Sequence, residues 1–382
     1  MKAPLLPAFL LAAASAAAAQ VLVDVQSDAG RKLAAGFDEQ WAGRQTARLP
    51  CRIQRFQPQL DYGLRLWSGF GASVRATELG RQPNGRLAVA FRVVPLDRPA
   101  PAAYFYQNSP VPRPPEGAGI RKVQLNLGGG FLLGEGRYRV DWLLLHSSGR
   151  ACRASWKLKA KGPGRRLAAG QVEAVDAALW HGFAPSGARG RRAAIFLHAS
   201  PVRPRRYVAR LSPWDRQVLL STLSSVLRDG GFGSASVTVF DLQNRRLLFR
   251  EADIDPLGLR RLARQLAQVD YSTVSMETLA QGPSPRPFLE ELLTAGLKSP
   301  VPASAFVFIG SRWRGGPKLD GLSPALKEAL PRSWFLAFST PQTLSEPDSL
   351  SSLVRAVRGK VLSIFHPPDL AAAVREISVA PR

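Results

Sequence analysis

Apolar and polar positions alternate along much of the N-terminal part of the chain, which is the pattern of half-buried β-strands. Residues 137–145 show it most clearly, and a hairpin partner is expected at 153–159. The predicted inward face of this strand is formed by Tyr138, Val140 and Trp142. The same alternation over 87–94 follows the turn signal Asn84-Gly85, which favours a tight hairpin. Short strands of this kind predict an all-β sandwich over residues 20–161.

Proline is concentrated between Pro95 and Pro115. Each proline removes a backbone donor and restricts the residue before it, so central strands and helices are excluded here and a long surface loop is predicted. The aromatic triplet Tyr104-Phe105-Tyr106 inside this segment has two interpretations. It is either a contact site for a partner or ordinary core that folds back onto the sandwich.

The hydrophobic period changes after Arg192, where strand-like and helix-like segments alternate to the end of the chain. The expected strands are 193–197, 236–242, 246–250, 305–309, 334–339 and 360–365, and the expected helices are 213–227, 256–268, 287–295, 322–330, 349–358 and 368–377. The continuous apolar run of the first strand is typical of a strand buried on both faces. This alternation predicts a doubly wound, Rossmann-like α/β domain over residues 192–382.

Glycine, proline and basic residues dominate residues 162–191, which we interpret as a linker between the two predicted domains. Residues 171–180 within it are apolar enough for a strand or a helical turn. The predicted sandwich resembles immunoglobulin-like modules in architecture only. No motif in it carries a family assignment.

The C-terminal half resembles a von Willebrand factor A-type (vWA) domain of the diverged kind found in secreted bacterial proteins. The resemblance rests on the order of elements, with one antiparallel hairpin strand after the first helix, and on the turn His198-Ala199-Ser200-Pro201-Val202. In that family the corresponding turn reads D-x-S-x-S, and its aspartate and two serines hold Mg²⁺, which prefers oxygen ligands. Here Ser200 is the one oxygen donor that remains, and an imidazole replaces the carboxylate.

The resemblance also implies a threonine ligand and a second aspartate. The loop Ser272-Thr273-Val274-Ser275 offers hydroxyls for the first, but Gly310-Ser311 occupies the position of the second. With two negatively charged ligands missing, we expect neither a metal nor a cofactor. His198 is interpreted as a structural histidine at a strand end that bonds backbone or Ser200, because no other histidine lies at a metal-binding spacing to it.

The formal net charge is +24, and arginine supplies most of it. A field of this sign favours polyanions such as nucleic acid, anionic glycans or anionic lipid. The alternative is a solvated basic surface, since the charges are scattered and lack the interleaved aromatic residues of single-strand binders.

The first nineteen residues have the basic start, apolar centre and small-residue end of a secretory signal peptide, with a retained membrane anchor as the alternative. Export places Cys51 and Cys152 in an oxidising compartment, where a disulfide is the default and two unrelated buried thiols are the other possibility. The sequence thus predicts a secreted or periplasmic protein.

The hypothesis that best fits these patterns is a non-catalytic, exported module that binds a protein partner. The predicted binding rim consists of Ser200, Ser272, Thr273, Ser275, Ser311, Arg312, Trp313 and Arg314. Tryptophan and arginine dominate interface energetics, and the rim of an open α/β sheet is where ligands bind. The first alternative is an envelope-associated polyanion binder, and the second is a hydrolase built on Ser200 and His198.

Overall fold

The computed structural model of the protein describes residues 20–43, 47–79, 85–111, 123–162, 167–175, 191–202, 210–271, 284–299, 301–312, 322–344 and 348–380. The chain forms two compact units. The β unit comprises Met1–Gln59 and Leu66–Val175, and the α/β unit comprises Leu60–Arg65 and Asp176–Arg382. In the described residues no helix combines the length and the apolar character that crossing a membrane requires.

The β unit contains two sheets. Its strands are β1 (Val21–Leu22), β2 (Arg52–Leu60), β3 (Leu66–Arg75), β4 (Arg86–Pro95), β5 (Ala103–Pro110), β6 (Gln124–Leu133), β7 (Gly136–His146), β8 (Ala151–Ala160) and β9 (Val172–Ala174), and its helices are α1 (Asp28–Ala42) and α2 (Ala76–Leu79). One sheet has the order β1-β5-β4-β7-β8 and the other the order β2-β3-β6-β9. The N-terminal part is therefore rich in antiparallel β-structure, as the alternating pattern predicts.

Aromatic side chains from both sheets fill the space between them. Phe70 of β3 lies edge-on to Phe91 of β4 and to Trp142 of β7, with ring centroids 5.4 Å apart in both pairs. Such edge-to-face contacts stabilise a core beyond the effect of area alone. The β7–β8 hairpin agrees with its prediction, and Tyr138, Val140 and Trp142 are each fully buried.

Two details of the predicted sandwich are wrong. The proline-rich segment contains strand β5, because the prolines flank this strand and its central residues, 103–109, include none. Phe105 of β5 is buried and stacks on Phe91 at 4.7 Å, which makes it core. The hairpin expected at Asn84-Gly85 is absent among the described strands, since β3 pairs with β6 in one sheet whereas β4 pairs with β5 and β7 in the other.

Helix α1 was not expected in a half predicted to be all β. The Ser27 side chain accepts a hydrogen bond from the Gly30 amide and caps the helix, and Asp28 lies in its first turn. Phe37 packs with Leu143 and Ala151 in a small apolar cluster. The helix thus covers part of the face of the first sheet that is turned away from the main core.

The Cys51–Cys152 disulfide is present, with the two Cα atoms 6.2 Å apart. Cys152 lies in β8 and Cys51 directly precedes β2. These strands are the outermost strands at one side of the two sheets. The cross-link therefore joins one sheet to the other at their edges.

Part of the segment predicted as a linker belongs to a sheet. Strand β9 pairs antiparallel with β6 through Val172, Glu173 and Ala174. Residues 163–166 and 176–190 of the same segment lie outside the described residues.

The strands and helices predicted for the C-terminal half are present, with ends that differ by a few residues. Its strands are β10 (Arg192–His198), β11 (Ser234–Asp241), β12 (Arg246–Glu251), β13 (Ala305–Ser311), β14 (Arg332–Phe338) and β15 (Lys360–Ile364), and its helices are α3 (Pro213–Asp229), α4 (Pro256–Gln268), α5 (Arg286–Leu297), α6 (Pro324–Ala329), α7 (Ser349–Ala356) and α8 (Pro367–Ser378). The order in the sheet is β12-β11-β10-β13-β14-β15. Strand β12 runs antiparallel to β11, and the other neighbours are parallel.

Helices pack on both faces of this sheet. Ala193, Ile195 and Leu197 of β10 share a core with residues of α3, α4 and α8. Ala194 and Phe196 point to the opposite side, where they share a core with residues of α5, α6 and α7. Successive side chains of a strand point to opposite faces, so burial on both sides explains why the sequence of β10 is apolar without interruption.

Candidate functional site at the strand ends

The parallel strands β10 and β13 end side by side at the centre of the sheet. Their register pairs Leu197 with Ile309, so His198 at the end of β10 and Gly310-Ser311 at the end of β13 come from neighbouring strand ends. Strand β11 continues the chain on one side of β10 and β13 lies on the other. A crevice of open α/β sheets forms outside the carboxyl ends of strands at such a point, which makes it the first place to look for a ligand site.

Three polar side chains meet there, and we call His198, Ser200 and Ser311 the strand-end cluster. The hydroxyl oxygen of Ser200 lies 2.5 Å from that of Ser311 and 3.3 Å from Nδ1 of His198. The His198 ring stacks on Phe240 with centroids 5.4 Å apart. His198 and Ser311 are both buried, so the three groups satisfy one another largely without water.

Burial lowers the pKa of His198 below its usual value, although the nearby carboxylates of Asp241 and Asp348 act in the opposite direction. A lowered pKa keeps the imidazole neutral at neutral pH. One ring nitrogen of a neutral imidazole is a donor and the other an acceptor. In the contact with Ser200, Nδ1 of His198 is therefore either the donor or the acceptor, depending on the tautomer of the neutral ring.

Asp241 ends β11 close to this cluster, but its carboxylate oxygens accept hydrogen bonds from the turn that follows it. They accept hydrogen bonds from the amides of Gln243 and Asn244 and from the side chains of Asn244 and Arg246, at 2.7–3.2 Å. The carboxylate is almost fully buried. It thus stabilises the β11–β12 turn.

Asp348 is the second buried carboxylate near His198. Its oxygen atoms accept bonds from the amides of Leu350, at 3.2 Å, and Ser351, at 3.0 Å, which makes Asp348 the N-cap of α7. Helix N-termini favour negative charge because the first amides have no intrahelical partner. This contact explains why the residue is acidic without any reference to a ligand.

The chain after β10 is held on two sides. The buried carboxylate of Asp215 in α3 accepts a bond from the Val202 amide at 3.0 Å. The Tyr271 hydroxyl donates to the Ala199 carbonyl at 2.5 Å, and burial raises the pKa of Tyr271. The segment that carries Ser200 is therefore anchored by long-range bonds.

Arg312 extends the cluster toward the next two strands. Its guanidinium donates to the hydroxyls of Ser339 and Ser363, both at 3.2 Å, and to the Leu344 carbonyl at 3.3 Å. Burial lowers its pKa, Asp348 opposes that effect and Arg355 adds to it. The side chain is half-buried, so part of the guanidinium faces the rim of the sheet.

The structure therefore brings two residues of the predicted rim, Ser200 and Ser311, into contact. Arg312 follows Ser311 in the chain, and its guanidinium contacts Ser339 and Ser363. The remaining predicted residues, Ser272, Thr273, Ser275, Trp313 and Arg314, lie outside the described residues. Asp215, Asp241 and Asp348 were not predicted to be near this site. An aspartate that ends a strand or precedes a helix is the signal that could have found them.

No group of three or more histidine, cysteine, aspartate or glutamate side chains that could hold a metal ion occurs within the described ranges. The carboxylates nearest to His198 already accept hydrogen bonds from amides, as described above. What the strand-end cluster offers is a pair of hydroxyls and a neutral imidazole.

Comparison with known proteins adds little. No family model matches the chain, and no curated protein matches it. An X-ray structure described as Northeast Structural Genomics Consortium target SoR45 is 12% identical, with 32% of this chain and 92% of that chain covered, at a TM-score of 0.18. A similarity of this size carries no argument about fold or function.

Proposed function

We propose that this chain is an exported, non-catalytic module that binds a protein partner through a vWA-like domain which works without a metal ion. The sheet order supports the resemblance: β10 is central, β11 and β13 flank it, and the antiparallel β12 follows β11 at the edge. This is the arrangement that the sequence resemblance implies, with one antiparallel hairpin strand after the first helix.

The contact between Ser200 and Ser311 carries the proposal. In the family that the sequence resembles, the serine of this turn keeps its hydroxyl for the metal. Here the Ser200 hydroxyl lies 2.5 Å from Ser311 and 3.3 Å from His198, so its hydrogen-bonding capacity is used inside the protein. A metal at this position would have to break both contacts and approach a buried imidazole.

The neighbouring carboxylates support the same conclusion. Mg²⁺ and Ca²⁺ need several oxygen ligands, carboxylates above all. Asp241 and Asp348 each bind backbone amides, and redirecting either of them would leave buried amides without a partner. A binding mode based on hydroxyls, arginine and aromatic contact agrees with the groups that remain.

The proposed binding surface is the rim formed by Ser200, Ser311 and Arg312 together with the sequence-predicted Ser272–Ser275 loop, Trp313 and Arg314. Arg312 is suited to this role because three hydrogen bonds fix its orientation before a partner arrives. Less side-chain freedom is then lost on binding. The Cys51–Cys152 disulfide supports export, since such bonds persist mainly in oxidising compartments.

The test is capture of a protein from a native envelope extract by the immobilised full chain, in parallel with 5–10 mM EDTA and with about 10 mM MgCl₂. We expect the same protein in both conditions, and its loss with the variant Arg312→Ala, Trp313→Ala, Arg314→Ala. The matched control is Arg260→Ala, Arg264→Ala, which removes the same charge from exposed positions of α4. Capture that requires magnesium contradicts the metal-free mechanism, and unchanged capture by the rim variant contradicts the rim.

The same extract separates the two alternatives. If nuclease treatment or about 0.5 M salt abolishes capture by every variant alike, the polyanion interpretation replaces this one. If purified protein hydrolyses generic ester or peptide substrates and Ser200→Ala abolishes the activity, the chain is a hydrolase and the proposal is wrong.

A further inference from the structure

A cleft of about 490 Å³ lies in the β unit, at the end of the sheet that contains β4, β7 and β8. Its walls include the end of β4, the start of β7 and the end of β8. Pro95, Ala160 and Ala169 form apolar parts of the lining. The volume is in the range of sites that bind small ligands.

Positive charge dominates this cleft. Arg98, Arg137, Lys159 and Lys161 line it, against two carboxylates, Asp97 and Glu135. Asp97 is already bound to Arg137, whose guanidinium and backbone amide both donate to it, the amide at 2.7 Å. Arg98, Lys159 and Lys161 form no ion pair with a carboxylate of the described residues, so the cleft has an excess of positive charge.

The register of β7 and β8 places cations opposite each other along one edge of the cleft and on the sheet beside it. Arg137 lies opposite Lys159, and Arg139 lies opposite Lys157. Residues that are directly opposite in antiparallel strands share a face, and like charges there destabilise the sheet. Asp97 pairs with Arg137, and Asp141 pairs with Arg139 at 3.2 Å, whereas Lys157 and Lys159 form no ion pair with a carboxylate of the described residues. An anion bound beside the lysines would offset the charge that the fold leaves uncompensated.

Two glycines lie among the residues that line the cleft. Gly136 and Gly170 adopt φ values of +148° and +86°, which side chains rarely tolerate. A β-carbon at 136 would be 3.6 Å from the Tyr138 side chain, and one at 170 would be 3.9 Å from the β-carbon of Ala100, which are ordinary van der Waals distances. The backbone conformation, and not a lack of space, therefore requires glycine at both positions.

The lining also selects among anionic ligands. No aromatic side chain is among the described residues that line the cleft, so bases have nothing to stack on. Glu135 supplies a carboxylate that accepts a hydrogen bond from the Gly162 amide at the long distance of 3.4 Å and forms no ion pair with a cation of the described residues. A carboxylate in a basic cleft repels a simple anion, but it accepts hydrogen bonds from hydroxyl groups.

We propose that this cleft binds an anionic saccharide, a sugar that carries sulfate, phosphate or carboxylate groups. Lys159, Lys161 and Arg98 bind the charged groups, and Glu135 accepts hydrogen bonds from ring hydroxyls. The site lies in the β unit, so it is independent of the rim proposed for the α/β unit.

The first experiment is isothermal titration calorimetry of the full, oxidised chain with a fully sulfated heparin-type tetrasaccharide. We expect Lys159→Ala, Lys161→Ala to weaken its binding at least tenfold, because two charge-assisted contacts are lost. The control pair Arg260→Ala, Arg264→Ala removes the same charge from the α/β unit and should change the affinity less than twofold. Equal weakening by both pairs means that net charge alone binds the ligand, and it overturns the proposed site.

The second experiment tests the sugar hydroxyls through Glu135→Gln. Removal of one negative charge must tighten the binding of any ligand held by charge alone. We expect the opposite for the tetrasaccharide, a loss of about tenfold, while binding of tripolyphosphate, which has no ring hydroxyls, stays equal or tightens. Tighter binding of both ligands would refute saccharide recognition, and so would a 12-nucleotide single-stranded DNA that binds more tightly than the tetrasaccharide.

Discussion

Gly310 lies directly against His198, because a β-carbon at position 310 would be 2.7 Å from the β-carbon of His198 and 3.2 Å from its carbonyl oxygen. His198 is the last residue of β10 and Gly310 the penultimate residue of β13, and parallel pairing holds these two central strands together. Gly310-Ser311 occupies the position at which the vWA resemblance implies an aspartate, and an aspartate at 310 would not fit without separating these strands. The close approach of the two strands therefore excludes a carboxylate side chain at 310, just as His198 takes the place of the carboxylate in the turn after β10.

Gly310→Ala should lower the free energy of unfolding of the α/β unit by about 1–3 kcal/mol, the usual range for an overpacked core. Urea unfolding followed by circular dichroism measures the change. Gly36→Ala is the control with the opposite expected sign, because this helical position in α1 has no atom within 4 Å of a new β-carbon and alanine favours helices. An unchanged free energy of unfolding for Gly310→Ala would show that β10 and β13 separate easily.

Ser200→Ala and Ser311→Ala should each destabilise the protein by about 1–2 kcal/mol, since each leaves a polar partner with one fewer hydrogen bond. The loss of unfolding free energy in the double variant should be clearly smaller than the sum of the two single losses. Each single change leaves the other hydroxyl without its partner, whereas the double change removes both hydroxyls. Additive losses in this double-mutant cycle would mean that the two hydroxyls do not interact in solution.

His198→Asn should reduce the acid sensitivity of the fold. Burial lowers the folded-state pKa of His198, so below about pH 6.5 the unfolded chain binds a proton that the folded chain does not. The free energy of unfolding must then fall as the pH falls, by at most about 1.4 kcal/mol per pH unit for one histidine.

The measurement is the unfolding free energy of wild type and His198→Asn between about pH 7 and pH 5. Burial and the charge of Arg150 lower the pKa of His146 as well, so a His146→Asn, His198→Asn double variant should have the flattest profile. An unchanged slope in both variants would contradict a neutral, buried imidazole at position 198.

Lys157→Glu should raise the midpoint temperature of the β unit. The new carboxylate lies opposite Arg139, which already pairs with Asp141 at 3.2 Å, so we expect a gain near the lower end of the roughly 0.2–1 kcal/mol that an opposite-charge cross-strand pair contributes. Lys157→Ala, which only removes the repulsion, should give a smaller gain. Differential scanning calorimetry at about 20 mM and 500 mM salt should show the difference between the variants shrinking as salt increases. A drop in stability with Lys157→Glu would show that these cations do not repel one another.

Replacement of both cysteines by alanine should cost the β unit about 4–5 kcal/mol, because the disulfide closes a loop of 101 residues. Hydrogen exchange measured by mass spectrometry resolves where the loss occurs. Peptides from β7 and β8 should exchange faster, while peptides from β10 and β13 serve as the internal control. Equal acceleration everywhere would mean that the two units unfold as one.

The α/β unit is predictable because each of its elements carries a local signal. Strand β10 is a short apolar run buried on both faces, and α3 begins with Ser212 and Pro213, where the structure has a capping box between Ser212 and Asp215. Strand β5 and helix α1 carry weaker signals. Prolines on both sides obscure β5, and α1 has few buried side chains along its length.

Only those parts of the candidate site that follow from strand order could be predicted from the sequence. Ser200 follows β10 and Ser311 ends β13, and an α/β topology places these strands side by side, so the proximity of the two serines follows from the fold. The roles of Asp241 and Asp348 depend on which backbone amides turn toward them, and that is settled by tertiary packing. The cation pairs of β7 and β8 needed the register of the hairpin, since a shift of one residue would separate them.

The bridge between the edge strands of the two sheets makes the β unit sensitive to the redox state of its two thiols. While both thiols are reduced, no cross-link holds β2 beside β8. Oxidation closes a loop of 101 residues and so reduces the conformational freedom of the unfolded chain. The full stability of this half therefore depends on conditions that keep the disulfide formed.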